Sequence, residues 1–139
     1  SFKEISKKQF IFNYDQDSNP KKITKSIEIV YGLRNFIGNA NKFSHSTVFI
    51  NLKSDSEITE IIIEDDGNGY PRDILSKIGE PYLKSGNTED KSKEGLGLGL
   101  FIGKTLLEKN FANINCRNSK TRSGAEVVVR WKNSDLFNI

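Results

Sequence analysis

Residues 33–43 read Leu33-Arg34-Asn35-Phe36-Ile37-Gly38-Asn39-Ala40-Asn41-Lys42-Phe43. At about 100° per residue, a helix here sets Asn35, Asn39 and Lys42 on one narrow stripe. Ile29, Leu33, Phe36, Ile37 and Ala40 fall on nearly the opposite face. A helix so divided buries its apolar side. Strands are legible elsewhere in the chain. Residues 9–14 place Phe10, Phe12 and Tyr14 on one face, and residues 46–53 do the same with Val48, Ile50 and Leu52. Residues 58–65 return from a turn at Ser54-Asp55-Ser56-Glu57, making a hairpin. A second hairpin joins 112–117 to 125–131 through 118–124, with Ala125, Val127, Val129 and Trp131 alternating against Glu126, Val128 and Arg130. The helix is expected over 24–43, after a polar loop carrying Pro20. A short helix is expected from Pro71 to about residue 78, stopped by Gly79, and a third follows a glycine run and extends to about Lys109. The last residues read as a frayed tail.

The chain has 139 residues, 35% hydrophobic and 28% charged, which fits one soluble globular domain over 1–139. It has no apolar run long enough to cross a membrane and no signal-peptide pattern. Opening on Ser1 without a Met, it reads as an excised domain. A net charge of +3, with lysines interleaved among Asp and Glu, argues against nucleic acid as a partner. The single cysteine, Cys116, permits no internal disulfide, fits a reducing compartment, and reads as a small buried residue in a strand.

Three stretches carry chemistry. On the helix, carboxamide oxygens can ligate Mg²⁺ and an ammonium can hold a phosphate, although such a stripe taken alone is what any solvated helix presents. The second strand ends in Ile61-Ile62-Ile63-Glu64-Asp65-Asp66-Gly67-Asn68-Gly69. Alternation puts Asp65 with Ile61 and Ile63, aimed inward, and Asp66 on the other side. An inward carboxylate needs hydrogen-bond donors, which a ligand can bring. Gly67 and Gly69 leave room for a planar ligand, or simply make an Asp-Gly turn. Third, Gly95-Leu96-Gly97-Leu98-Gly99-Leu100 leads into a helix, so its backbone amides are expected at the helix mouth, where phosphate binds. No Gly-Lys-Ser/Thr follows, so this is not a Walker loop. Between the second and third stretches, residues 84–94 hold no aliphatic or aromatic side chain and are expected to form a mobile lid.

In this order, the three stretches resemble the ATP-binding catalytic domain of two-component sensor histidine kinases, within the wider family shared with gyrase, the ninety-kilodalton chaperones and MutL. Glu80-Pro81-Tyr82, residues 95–107, Gly124-Ala125-Glu126 and Trp131 look most like the redox-responsive global-regulator kinases of the RegB/PrrB type. The resemblance implies a two-layer α/β sandwich (the Bergerat or GHKL fold), a mixed sheet covered on one face by about three helices, with an ATP lid. It implies ATP and Mg²⁺ as cofactors. By the N-box match, Asn39 would coordinate Mg²⁺ with Asn35 beside it, Lys42 would meet a phosphate, and Phe43 would pack on adenine. By the next match, Asp65, with Gly67 and Gly69, would accept from the adenine amino group. The run of Gly95, Leu96, Gly97, Leu98, Gly99 and Leu100 would set amides on the phosphates. Tyr82 would stand where the family usually has Phe, and Lys84, Lys91 and Lys93 are lid candidates for phosphate contact.

The hydrolytic relatives carry a water-activating Glu four positions before the Mg²⁺ ligand. Here that position is Asn35, and an amide is no base near neutral pH. The resemblance therefore implies a site that holds ATP for transfer. Its partners would be a histidine on a separate dimerisation domain of the same parent, then a response regulator. The domain would be cytoplasmic and the parent an inner-membrane homodimer. His45, the only histidine, lacks the acidic neighbour of the family's acceptor and reads as an ordinary surface residue. Two alternatives remain open on these residues: an anti-sigma-factor-type serine kinase of the same fold, and a non-catalytic module that binds ATP to control docking.

Overall fold

A computed structural model describes residues 8–14, 27–76 and 92–136. Strand β1 (Gln9–Tyr14) is followed by helix α1 (Ile27–Phe43), β2 (Thr47–Ser54), β3 (Ile58–Asp65), the short α2 (Arg72–Leu75), α3 (Ser92–Lys109), β4 (Asn113–Asn118), β5 (Ala125–Lys132) and the short α4 (Asn133–Leu136). The five strands form one sheet in the order β1-β2-β3-β5-β4. Among the described residues only the β1–β2 pair is parallel, so the sheet is mixed. The two expected hairpins are present, and β3 lies beside β5, so the two hairpins share one sheet through an antiparallel pair.

Period-two alternation decides which side is covered. Val48, Ile63, Val127 and Val129 point into the core with Phe36 of α1 and Leu100 and Leu107 of α3. Across the helix pair, Gly32 faces Leu107, Phe36 faces Gly103 and Asn39 faces Gly99, so α1 and α3 run antiparallel. The other side of the sheet is polar. Arg130 Nη2 meets Glu60 Oε2 at 2.6 Å, Arg117 pairs with Glu126, and Arg122 lies 3.6 Å above the Phe49 ring. This is the two-layer arrangement expected from the sequence.

Phe12 shares the face of Phe10 as expected, their ring centroids 6.5 Å apart, yet it is 65% exposed while Phe10 packs on the core. Strand β1 pairs on one side with β2, and at that margin the helices no longer cover every inward position. The tail is not frayed over residues 133–136. Asn133 accepts from Thr59 Oγ1 at 2.7 Å and donates from Nδ2 to the Asp55 carbonyl at 2.7 Å, while Leu136 is buried. These bonds tie α4 to the β2–β3 turn.

Candidate functional site

The site lies where the C-terminal half of α1, the end of β3 and the first turns of α3 converge. On α1, the carboxamide of Asn39 packs against Gly99 of α3. A Cβ at Gly99 would lie 2.9 Å from both Asn39 Nδ2 and Oδ1. Asn39 Nδ2 is buried without a hydrogen-bond partner. A buried donor left unpaired costs about 1–3 kcal/mol, so it is a place where a ligand acceptor would add binding energy. One turn earlier, Asn35 Nδ2 donates to the Tyr31 carbonyl of its own helix at 2.8 Å. Lys42 is exposed, its Nζ 5.3 Å from the centre of the Phe43 ring. The stripe read from the sequence is thus real, but its members differ: Asn39 faces α3, Asn35 bonds to its own helix, and Lys42 reaches along Phe43.

Asp65 is the inward carboxylate, 3% exposed. Its Oδ1 accepts from Gly67 N at 2.8 Å and from Ala125 N at 3.3 Å. No described donor reaches Oδ2. Burial pushes its pKa up, and the two amide bonds only partly offset that. Close backbone approach makes this possible. A Cβ at Gly124 would sit 2.0 Å from the Asp65 carbonyl oxygen and 2.3 Å from Oδ1, and one at Gly67 would sit 2.1 Å from the Phe43 carbonyl oxygen. Gly67 therefore brings the end of α1 against the Asp65 turn.

The chain as a whole has counterparts among known proteins. Over residues 24–135 it fits the family model described as histidine kinase-, DNA gyrase B-, and HSP90-like ATPase. The chain belongs to this ATPase family. It is 38% identical over 130 residues to the sensor histidine kinase RegB of Cereibacter sphaeroides, covering 83% of this chain and 28% of that protein. It is 32% identical over 99 residues to the sensor protein RstB of Escherichia coli, covering 71% and 23%. The RegB-type resemblance is borne out, and the chain spans about a quarter of the length of these two relatives. Among solved structures it superposes on the mycobacterial sensor histidine kinase MprB with a TM-score of 0.72 at 21% identity, covering 94% of this chain and 87% of that one. Full-length ShkA in complex with AMPPNP gives a TM-score of 0.66 at 22% identity, covering 88% and 25%. At such identities the likeness establishes the fold, which is the histidine kinase catalytic (GHKL) sandwich.

Against this ATPase-family frame, one site expectation needs correction. The glycine run is not a loop ahead of a helix. Helix α3 starts at Ser92, so Gly95, Leu96, Gly97, Leu98, Gly99 and Leu100 all lie within it, as does Lys93 of the expected lid. Only the first four N–H groups at a helix start lack an intrahelical partner, so in a helix that starts at Ser92 the amides of Gly97 and Gly99 are spent on intrahelical bonds. Three leucines at alternate positions, together with Lys93 and Glu94, favour helix. Packing of the helix on α1 then outweighs the glycine cost of about 1 kcal/mol each. Tyr82, Lys84 and Lys91 lie outside the described residues, as do most of the lid positions.

Asp66 shows a role the sequence did not disclose. Its Oδ1 accepts from the amides of His45, Ser46 and Thr47 at 2.9, 3.0 and 3.1 Å, and its Oδ2 from Ser46 Oγ at 2.6 Å. Desolvation raises its pKa, but these donors outweigh it and hold the carboxyl well below the usual range. A depressed folded-state pKa stabilises the fold above the unfolded carboxylate value, near 3.9, and that contribution is lost as pH falls through the folded value. Asp66→Asn should therefore cost about 2 kcal/mol of stability near neutral pH, the scale of one charge-assisted bond. The difference from wild type should shrink below about pH 3.9. Urea denaturation across that range measures it, and an undiminished difference in acid would exclude the assignment. Sequence reading also missed Asn118, Gly124 and the Ala125 amide as site elements, having given 118–124 as a turn and Gly124-Ala125-Glu126 only as part of the family resemblance. Cys116 is half-buried in β4, with burial pushing its thiol up to about 12, so it is inert near neutral pH.

Proposed function

We propose that this chain is the ATP-binding catalytic domain of a sensor histidine kinase. It would hold Mg-ATP for transfer of the γ-phosphoryl group to a histidine on a separate dimerisation domain, with a response regulator as the next acceptor. The domain boundary 1–139, a cytoplasmic position and a membrane-anchored homodimeric parent belong to the same proposal. Among the described residues no helix is long and apolar enough to cross a membrane.

The donor set fits the nucleotide. Asn39 has neither carboxamide atom hydrogen-bonded among the described residues, so Oδ1 can ligate a hard cation and Nδ2 can donate to a phosphate oxygen. Asp65 Oδ2 is an open acceptor for the adenine amino group, and Phe43 carries the neighbouring ring. Lys42 reaches a phosphate from the end of α1. The start of α3, at Ser92 and the residues just after it, offers the amide seat for phosphate ahead of Gly97 and Gly99. When bound, Mg²⁺ supplies charge neutralisation on the phosphates.

The observation that carries transfer over hydrolysis is Asn35. It stands one turn before Asn39, where a base would be needed, and an amide cannot take a proton there. Glu28 is the only carboxylate on α1; it sits in the first turn and is paired with Lys109 at 2.9 Å.

The chain alone is therefore expected to bind ATP, to hydrolyse it very slowly, and not to label itself. Radiolabelled ATP tests this with the chain alone and with a histidine-bearing dimerisation domain from the parent. With that domain present, an acid-labile, base-stable phosphoryl group should appear on the added domain. Self-labelling at His45, or brisk hydrolysis by the chain alone, would refute the reading. An acid-stable label on another protein would identify a serine kinase instead.

A further inference from the structure

Tyr70 ends the segment that follows Asp65, and one side chain takes both of its backbone groups. Tyr70 N donates to Asn118 Oδ1 at 2.6 Å, and Asn118 Nδ2 donates back to the Tyr70 carbonyl at 3.2 Å. Asn118 is the last residue of β4, 48 positions further along the chain. Its carboxamide replaces the partner strand that this irregular segment lacks. Gly69 is shaped to the same contact. Its φ is +78°, and a Cβ there would lie 2.7 Å from Asn118 Oδ1.

The remaining backbone ties of the segment are few, while the Tyr70 ring is buried in the core beside Cys116. Gly67 N donates to Asp65 Oδ1 at 2.8 Å, and Ser123 Oγ reaches the Gly67 carbonyl only at 3.5 Å. Asn68 is exposed. The backbone of the segment is thus held at one end by Asp65 and at the other by Asn118, and both grips meet β5. Asn118 pairs with Ala125 across the β4–β5 ladder, and the Ala125 amide donates to Asp65 Oδ1.

We propose that Asn118 is a positioning residue for the nucleotide base: it fixes the segment 67–70 relative to Asp65 and thereby sets the preference for adenine over other purines, without touching the nucleotide. This rests on the ATP-binding reading of Asp65 above. The physical reason is that Asp65 discriminates by meeting a donor. An acceptor such as a purine keto oxygen is rejected only if the base cannot slide away from the carboxylate. Rejection of that kind needs a wall held to a fraction of an ångström. A two-point carboxamide clip on backbone supplies one.

The test compares ATP, GTP and inorganic tripolyphosphate, each with Mg²⁺, by calorimetry on the 139-residue chain and its variants. Asn118→Ala should weaken ATP about tenfold, the scale of losing one to two part-buried hydrogen bonds. The ATP-over-GTP ratio should fall by a similar factor, and tripolyphosphate binding should hold. Gly69→Ala presses on the same contact from the other side and should reproduce the pattern, which keeps the test alive if Asn118→Ala does not fold. Asn118→Asp keeps an acceptor for Tyr70 N and should retain more of the ratio than alanine. Equal loss of ATP and tripolyphosphate, or an unchanged ATP-over-GTP ratio in the folded variants, would reduce Asn118 to a structural staple and overturn the proposal. Asp65→Asn separates the two levels. If that variant binds ATP as wild type does, the ATP reading of Asp65 falls and the proposal with it. If it is weakened while Asn118→Ala keeps its ratio, only the positioning role fails.

Discussion

Asn39→Ala is expected to weaken Mg-ATP binding on the order of 100-fold or more while leaving the fold as stable as before or slightly more so. Loss of residues that merely support a metal ligand costs 10- to 100-fold in metal affinity, and a ligand itself should cost no less. The stability half of the expectation comes from the apo geometry. Asn39 Nδ2 is buried with no partner, and truncation removes that unsatisfied group. It also removes the carboxamide that Gly99 accommodates, opening a small gap that partly cancels the gain. A residue that costs stability and confers affinity is the pattern expected at a functional site. Calorimetry with Mg-ATP and a thermal melt on the same sample read both quantities. Unchanged affinity would remove Asn39 from the site, and a large fall in melting temperature would make its role structural.

Asp65→Asn is expected to lower ATP affinity roughly 10- to 100-fold, the equivalent of about 1.5–3 kcal/mol for a charge-assisted bond. The direction follows from how the carboxylate is held. Its Oδ1 is taken by the amides of Gly67 and Ala125, so an asparagine must turn its own oxygen toward those two donors. Its Nδ2 would then face the ligand where Oδ2 had been, a donor set against the donor of the adenine amino group. Acid should mimic the substitution. Burial raises the pKa of Asp65, so the folded protein takes up this proton at a higher pH than an ordinary carboxylate would. In the empty protein the sign is that of a raised acid: its stability contribution is present below the unfolded pKa and lost as pH rises through the folded value. ATP favours the ionised form, so affinity should decline on acidification from above the ordinary carboxylate range, and Asp65→Asn should flatten that decline. Asp66→Asn, on the other side of the strand, should alter stability far more than affinity. If Asp66→Asn instead abolishes binding in the folded protein, the assignment of the two aspartates is reversed.

The sequence by itself determined the elements and the faces. Alternation along residues 46–65 and 112–131 placed β2 to β5 to within a residue or two at each end. The same alternation turned Asp65 inward and Asp66 outward, and a helical stripe singled out Asn39. Such patterns are legible because they repeat every two residues or every turn, and the backbone alone sets that period. Only the tertiary structure decided what those faces meet. Gly124 and the Ala125 amide reach Asp65 across β5, Asn118 reaches Tyr70 from the end of β4, and Asn133 reaches the β2–β3 turn. Each contact joins residues 48 to 78 positions apart. No local period encodes such a meeting, which depends on β3 choosing β5 as its neighbour. The glycine run shows the same limit from the other side. Taken locally, three glycines argue for a loop; in the fold they lie within α3, where Gly99 admits the Asn39 carboxamide and Gly103 admits the Phe36 ring. Close packing between two helices outweighs the intrinsic preference of the residues that make it possible.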